Sequence, residues 1–156
     1  MFAQQSLGTE AFTVVGTTQL HQLGEIRWNG AGSKSYRYVR AGAAITAGDA
    51  VKGTSDATPY SAVVKTASAS GANQMILGVA MATLANLEYG WVQRTGISET
   101  NVAIESATVA PGDPLQASAS NAGRFNIATA AALCNASAWC LVDATGNVGT
   151  VLLDCP

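Results

Sequence analysis

The chain has 156 residues and a net charge of −2, with only 12% charged residues against 48% apolar ones, about half the usual charged share. Its eight basic residues form no dense stripe, Arg37 and Arg40 being the only cluster, which argues against a nucleic-acid surface. No apolar run reaches the ~20 residues of a membrane-spanning helix.

Residues 1 to 12 mix Gln, Ser, Gly and Thr with Phe2, Leu7 and Phe12 and show no sustained period. They read as an N-terminal arm, ordered only where something holds it. Met1-Phe2-Ala3-Gln4-Gln5 has no basic region followed by an apolar stretch, so a secretory signal is not expected. Thr13-Val14-Val15 and Glu25-Ile26-Arg27-Trp28 are strand-competent, and Asn29-Gly30-Ala31-Gly32 is a turn signal. A hairpin over 25–40 follows, with Tyr36, Tyr38 and Arg40 on one face and Ser35, Arg37 and Val39 on the other.

Strands are predicted over 60–65, 75–82, 90–95, 101–105, 124–128, 139–143 and 149–153, separated by Ser/Ala/Gly loops at 67–71 and 117–121. Thr129 to Ala138 predicts one helical turn. Ile45-Thr46-Ala47-Gly48-Asp49-Ala50-Val51 returns as Val109-Ala110-Pro111-Gly112-Asp113-Pro114-Leu115, and Gly90-Trp91-Val92-Gln93 as Gly149-Thr150-Val151-Leu152. These matches define internal repeats over about 42–95 and 106–153. Short strands with Gly-rich turns make the chain all-β: a compact barrel or sandwich over 13–156, with two related strand-turn-strand units and an extended arm over 1–12.

Little in the chain suggests catalysis, and it is read as a non-enzyme. The single histidine, His21, stands near no nucleophile motif and reads as a polar residue bonding backbone. Asn29-Gly30-Ala31-Gly32-Ser33-Lys34-Ser35 fails the order and spacing of a phosphate loop and is better explained as a hairpin turn. Asp49 and Asp113 could be a catalytic pair related by the repeat. Turn chemistry explains them better: Gly48 and Gly112 supply positive φ, and the following Asp caps a backbone N–H. The other acids are dispersed and fit no calcium loop. Cys134, Cys140 and Cys155 lack zinc-site spacing and read as buried thiols, an oxidised pair being the alternative. No metal or cofactor is expected. So little charge points to a surface covered by partners or subunits, against a Ser/Thr/Ala-rich surface that stays soluble unaided.

One family does share these patterns. His21-Gln22-Leu23-Gly24, Asn29-Gly30, Tyr36-Arg37-Tyr38-Val39-Arg40-Ala41-Gly42 and the first Gly-Asp corner resemble the decoration, or cement, proteins of tailed-phage heads. Gly78-Val79-Ala80, Tyr89-Gly90-Trp91-Val92-Gln93 and the second corner are similar to the same group, over roughly residues 20 to 128. The resemblance implies a capsid-stabilising β-protein, commonly trimeric, on the outer surface of the shell. The three late cysteines depart from the pattern, and the C-terminal 25 residues do not match it. The expected partners are then the major capsid protein and two further copies of the chain, with no nucleic acid and no membrane. The expected location is the exterior of the virion, after synthesis in the host cytoplasm. Subunit contacts are expected near 90–93 and 151–153. Phe2, Leu7, Phe12, Val14 and Val15 are the anchors of a capsid-binding arm, which could add a strand to a neighbour's sheet. A head-fibre or tail-associated module binding a receptor or glycan is the alternative, and a small hydrolase the weaker third reading.

Overall fold

A computed structural model describes residues 11–54, 57–66, 76–105, 108–128, 138–142 and 146–155. The arm anchors Phe2 and Leu7, the predicted helical turn before Ala138, and Cys134 lie outside them. Among the described residues there is no helix. The strands are β1 (Ile26–Trp28), β2 (Ser35–Arg40), β3 (Ala50–Gly53), β4 (Val63–Lys65), β5 (Gly78–Ala80), β6 (Tyr89–Ile97), β7 (Val102–Ala103), β8 (Pro114–Ala117), β9 (Phe125–Ile127), β10 (Ala138–Cys140), β11 (Val148–Gly149) and β12 (Val151–Asp154). The main sheet runs β4-β3-β5-β6-β12-β10-β8-β9 and curls into a half-barrel, so the protein is all-β.

The expected hairpin forms as β1 and β2, with Arg27 opposite Tyr36. Its loop is organised by Asn29, whose Oδ1 accepts the N–H groups of Ser33 (2.9 Å) and Lys34 (3.1 Å). Thr13-Val14-Val15, in contrast, makes no strand. Val14 N–H closes a turn onto Ala11 C=O, and only Gly16 pairs with the sheet, through Tyr89.

The duplication is written in single hydrogen bonds. Ala50 opposite Val79 recurs as Pro114 opposite Trp139, and Gly53 opposite Val63 as Ala117 opposite Phe125. Gly48 N–H to Ala80 C=O (2.9 Å) recurs as Gly112 N–H to Cys140 C=O (2.8 Å). The match also extends upstream of residue 42. Val39 opposite Gly90 recurs as Val102 opposite Gly149, which makes β7 the counterpart of β2. In each unit the outermost strand returns onto the entering segment by a parallel bridge, Ala41 with Val63 and Ile104 with Phe125, so neither end of the sheet is a bare edge.

Each unit encloses its own core: Ile45, Val51, Leu84 and Val92 in the first, Ile104, Leu115, Phe125 and Val151 in the second. Strand β5 and the Ala50-Val51 half of β3 are buried on both faces, because Ala50 and Val79 point into the second core while Val51 and Ala80 serve the first. That accounts for the unbroken apolar sequence of β5. The units are also joined by Gly123, which accepts from Ala50 N–H (2.7 Å) and donates to Thr66 C=O (3.1 Å).

Strand β6 is the hub. Gln93 pairs with Tyr36 on one edge and Val79 on the other, and Thr95 with Ser35 and Asp154. The buried Gln93 amide holds the passage between them, donating to Ile97 C=O (2.8 Å) and accepting from Glu99 N–H (3.0 Å). Residues 90–93 and 151–153, expected near subunit contacts, therefore occupy the middle of the sheet. Trp91, Val92, Gln93, Val151 and Leu153 are all buried within their own chain.

Candidate functional site

Four turns among the described residues close in one way. The fourth residue donates its N–H to the carbonyl of the first: Glu25 to Gln22 (3.0 Å), Asp49 to Thr46 (3.1 Å), Glu88 to Ala85 (3.2 Å) and Asp113 to Ala110 (3.1 Å). Its carboxylate then accepts the first residue's N–H, at 3.3, 2.8, 2.7 and 2.9 Å respectively. The third residue has positive φ: Gly24 at 82°, Gly48 at 89°, Leu87 at 71° and Gly112 at 91°. This is a type II turn with its acid folded back as a cap. Asp49 and Asp113 thus sit at equivalent corners of different units, each closing its own turn.

Glu25 and Glu88 join Asp49 and Asp113 in this set. Gly24-Glu25 carries the same glycine-acid signal as the Asp corners, whereas Leu87-Glu88 hides it behind a leucine. An L-residue in this region costs roughly 1–2 kcal/mol, and Leu87 is half exposed at 52%. Leu87→Gly is therefore expected to raise stability by about 0.5–1 kcal/mol in urea denaturation, after the greater freedom of the unfolded glycine is subtracted. A lower midpoint would show that the leucine side chain carries packing that outweighs its strain.

The two aspartates differ in their surroundings. Asp113 only caps, so Asp113→Ala should cost about 0.5–2 kcal/mol. Asp49 also takes the Lys65 ammonium at 2.7 Å, with its own side chain nearly buried. Lys65 is one-third exposed, which limits the ion pair to about 1 kcal/mol or less. Asp49→Ala should then cost about 1–3 kcal/mol. Equal losses on thermal denaturation would remove the ion pair from this account.

The densest collection of polar and aromatic groups lies where residues 12–23 cover β2 and β6. Phe12 stacks on Tyr36 at 3.7 Å and meets Trp91 edge-on at 5.3 Å. Leu23 and Tyr89 pack on the same cluster, and Leu20 N–H donates to the Tyr38 hydroxyl at 3.2 Å. Val15 packs on the first unit's core, while Val14 stays 40% exposed. Two of the five expected arm anchors, Phe12 and Val15, are thus occupied by their own chain. A lone aromatic in a polar stretch has no period by which sequence could assign it a partner.

His21 sits within this cluster, against Tyr38 and Trp91 at 4.9 and 5.2 Å between ring centres. Arg27 Nη2 lies 2.9 Å from His21 Nδ1 and Arg27 Nε 2.8 Å from Glu25 Oε1, with its guanidinium over the Trp91 ring at 5.2 Å. A guanidinium can only donate, so Nδ1 accepts and the ring proton is on Nε2. The histidine is therefore part of a side-chain network that ties the covering segment to β1, beyond the backbone contact expected of it.

Other ionisable groups are tuned by burial and local donors. Glu105 is held below the usual carboxylate range, chiefly by the Ser118 hydroxyl, with Asn121 and Asn126 at 3.0 Å adding to it. Burial raises the Tyr36 phenol, helped by the neighbouring Glu99 carboxylate. Cys140 and Cys155 are buried and form no disulfide, and burial pushes the Cys155 thiol up to about 12. Such a thiol is a poor nucleophile. Among the described residues, no group of three His, Cys, Asp or Glu side chains is placed to hold a metal ion. Comparison with protein-family models and with curated proteins gives no match.

Proposed function

We propose that the chain is a structural protein of a tailed-phage particle, bound to the outside of the major capsid shell and holding it against internal pressure. Its role is binding, its partners are the capsid protein and further copies of itself in a trimer, and neither nucleic acid nor membrane takes part. The observation that carries this reading is an apolar row on the outer face of the second unit. Ile97 stands opposite Leu152, Leu152 opposite Trp139, and Trp139 opposite Pro114. Ile97 is 51% and Leu152 39% exposed. A contiguous row of this kind, on a chain with 12% charged residues, is surface that a partner covers. Contacts of modest strength suffice there, because a trimer with one foot engaged presents the other two at high effective concentration.

The test is sedimentation of purified protein with expanded shells that lack it. Saturable co-sedimentation is expected, with Leu152→Lys abolishing it while the melting temperature stays unchanged. Protein that remains in the supernatant at every ratio, or a Leu152→Lys variant that binds like the parent, would remove this reading.

A further inference from the structure

Equivalent faces of the two units have different cover. In the first unit, Phe12 lies on Tyr36 and Trp91, and Gly16 forms an antiparallel bridge with Tyr89. Met81 N–H to Trp91 C=O (3.1 Å) recurs as Leu141 N–H to Thr150 C=O (2.9 Å). The pairing of Arg40 with Tyr89 recurs as Ala103 with Val148. The counterpart face therefore comprises Leu141, Val148 and Thr150, with Val142 beside them. It is open: Leu141 and Val148 are each 38% exposed and Val142 57%.

The backbone there is open in the same manner. Ile104 N–H donates to Asn147 C=O at 2.9 Å, as Ala41 does to Glu88 at 2.7 Å. Ala103 and Val148 are thus a non-hydrogen-bonded pair, and Val148 turns its own N–H and C=O away from β7. Tyr89 uses those same two groups to hold Gly16, at 2.8 and 3.2 Å. Among the described residues nothing bridges Val148 in this way.

An open strand edge beside an apolar floor takes an extended peptide with an apolar anchor. The chain carries a second such peptide. Phe12-Thr13-Val14-Val15-Gly16 sets an aromatic anchor ahead of a small residue, and Phe2-Ala3-Gln4-Gln5-Ser6 repeats that spacing. Thr150 and Asn101, with smaller side chains, stand where the first unit has Trp91 and Tyr38. Residues 1–10 precede the described chain and span about 33 Å when extended, enough to leave one copy and reach another. We infer that residues 1–10 of a neighbouring copy lie on this face, Phe2 against Leu141 and Thr150 and the backbone near Ser6 across Val148. Such a contact is head-to-tail, and with cyclic symmetry it closes into a ring of copies.

The experiment compares the full chain with a variant lacking residues 2–10, which keeps Phe12. Light scattering at micromolar concentration should report a closed oligomer for the full chain and a monomer of unchanged melting temperature for the truncated one. A labelled synthetic peptide of residues 1–10 should bind the truncated protein and lose that binding when Leu141→Lys is introduced at its exposed position. A truncated chain as oligomeric as its parent, a monomeric full chain, or peptide binding indifferent to Leu141→Lys would overturn the inference. If truncation spares the oligomer but ends sedimentation with shells, the arm belongs to the shell, and this inference falls while the shell reading stands. An arm-dependent oligomer that never sediments with shells has the opposite meaning.

Discussion

Gly48→Ala should remove about 2–5 kcal/mol of stability, while Gly112→Ala, in the equivalent turn, should remove only about 1–2. Both glycines sit at nearly the same positive φ, 89° and 91°, so the strain of an L-residue is common to the two. The surroundings separate them. A Cβ on Gly48 would stand 2.2 Å from the Asn101 carbonyl oxygen, whereas nothing lies within 4 Å of one on Gly112. The chain at Gly48 has no room to retreat, since its N–H is bound to Ala80 at 2.9 Å and its carbonyl to Ala103 at 3.0 Å. A single domain holds about 5–15 kcal/mol in total, so the larger loss leaves a marginal protein. Urea denaturation of both variants measures the difference. Equal midpoints would mean that turn geometry alone sets the cost and that the units are joined more loosely at Gly48 than the distances indicate.

That contrast marks how far sequence could reach. The Gly-Asp corners were legible because a type II turn demands a residue tolerant of positive φ, and because an acid after it finds an N–H within reach. The all-β class followed from the same punctuation and from short apolar runs such as Gly78-Val79-Ala80. Three features stayed hidden. Tyr36-Arg37-Tyr38-Val39 and Glu99-Thr100-Asn101-Val102 share only their last residue, so the upstream extension of the repeat shows in hydrogen bonds and not in side chains. The burial of residues 90–93 depends on which strands flank β6, and alternation along one strand does not report its neighbours. The network of His21, Glu25 and Arg27 over Trp91 is assembled by the crossing of a covering segment over two strands. No local pattern encodes such a meeting.

Phe12→Ala is expected to lower the stability of the isolated protein by about 2–3 kcal/mol, a fall of roughly 5–10 °C in melting temperature for a domain of this size. Phe12 covers two rings at once, stacked on Tyr36 and edge-on to Trp91. Without the ring, Tyr36, Trp91 and the His21 network lose their cover, and residues 11–16 are held by the Val15 contact with the core and the Gly16 bridge to Tyr89. Tryptophan emission should shift to the red in the folded variant as water reaches Trp91. Phe12→Leu should recover most of the stability, since it restores apolar volume, but not the edge-on contact with the indole. If Phe12 were instead an anchor for a partner, its removal would leave the isolated protein's melting and emission untouched and weaken only attachment. The two outcomes separate cleanly because one reads the free protein and the other the complex. The position also limits any arm that acts between copies or on a shell. With Phe12 latched to its own domain, any peptide that reached a partner would have to lie before Ala11, and Phe2 and Leu7 would be its apolar anchors.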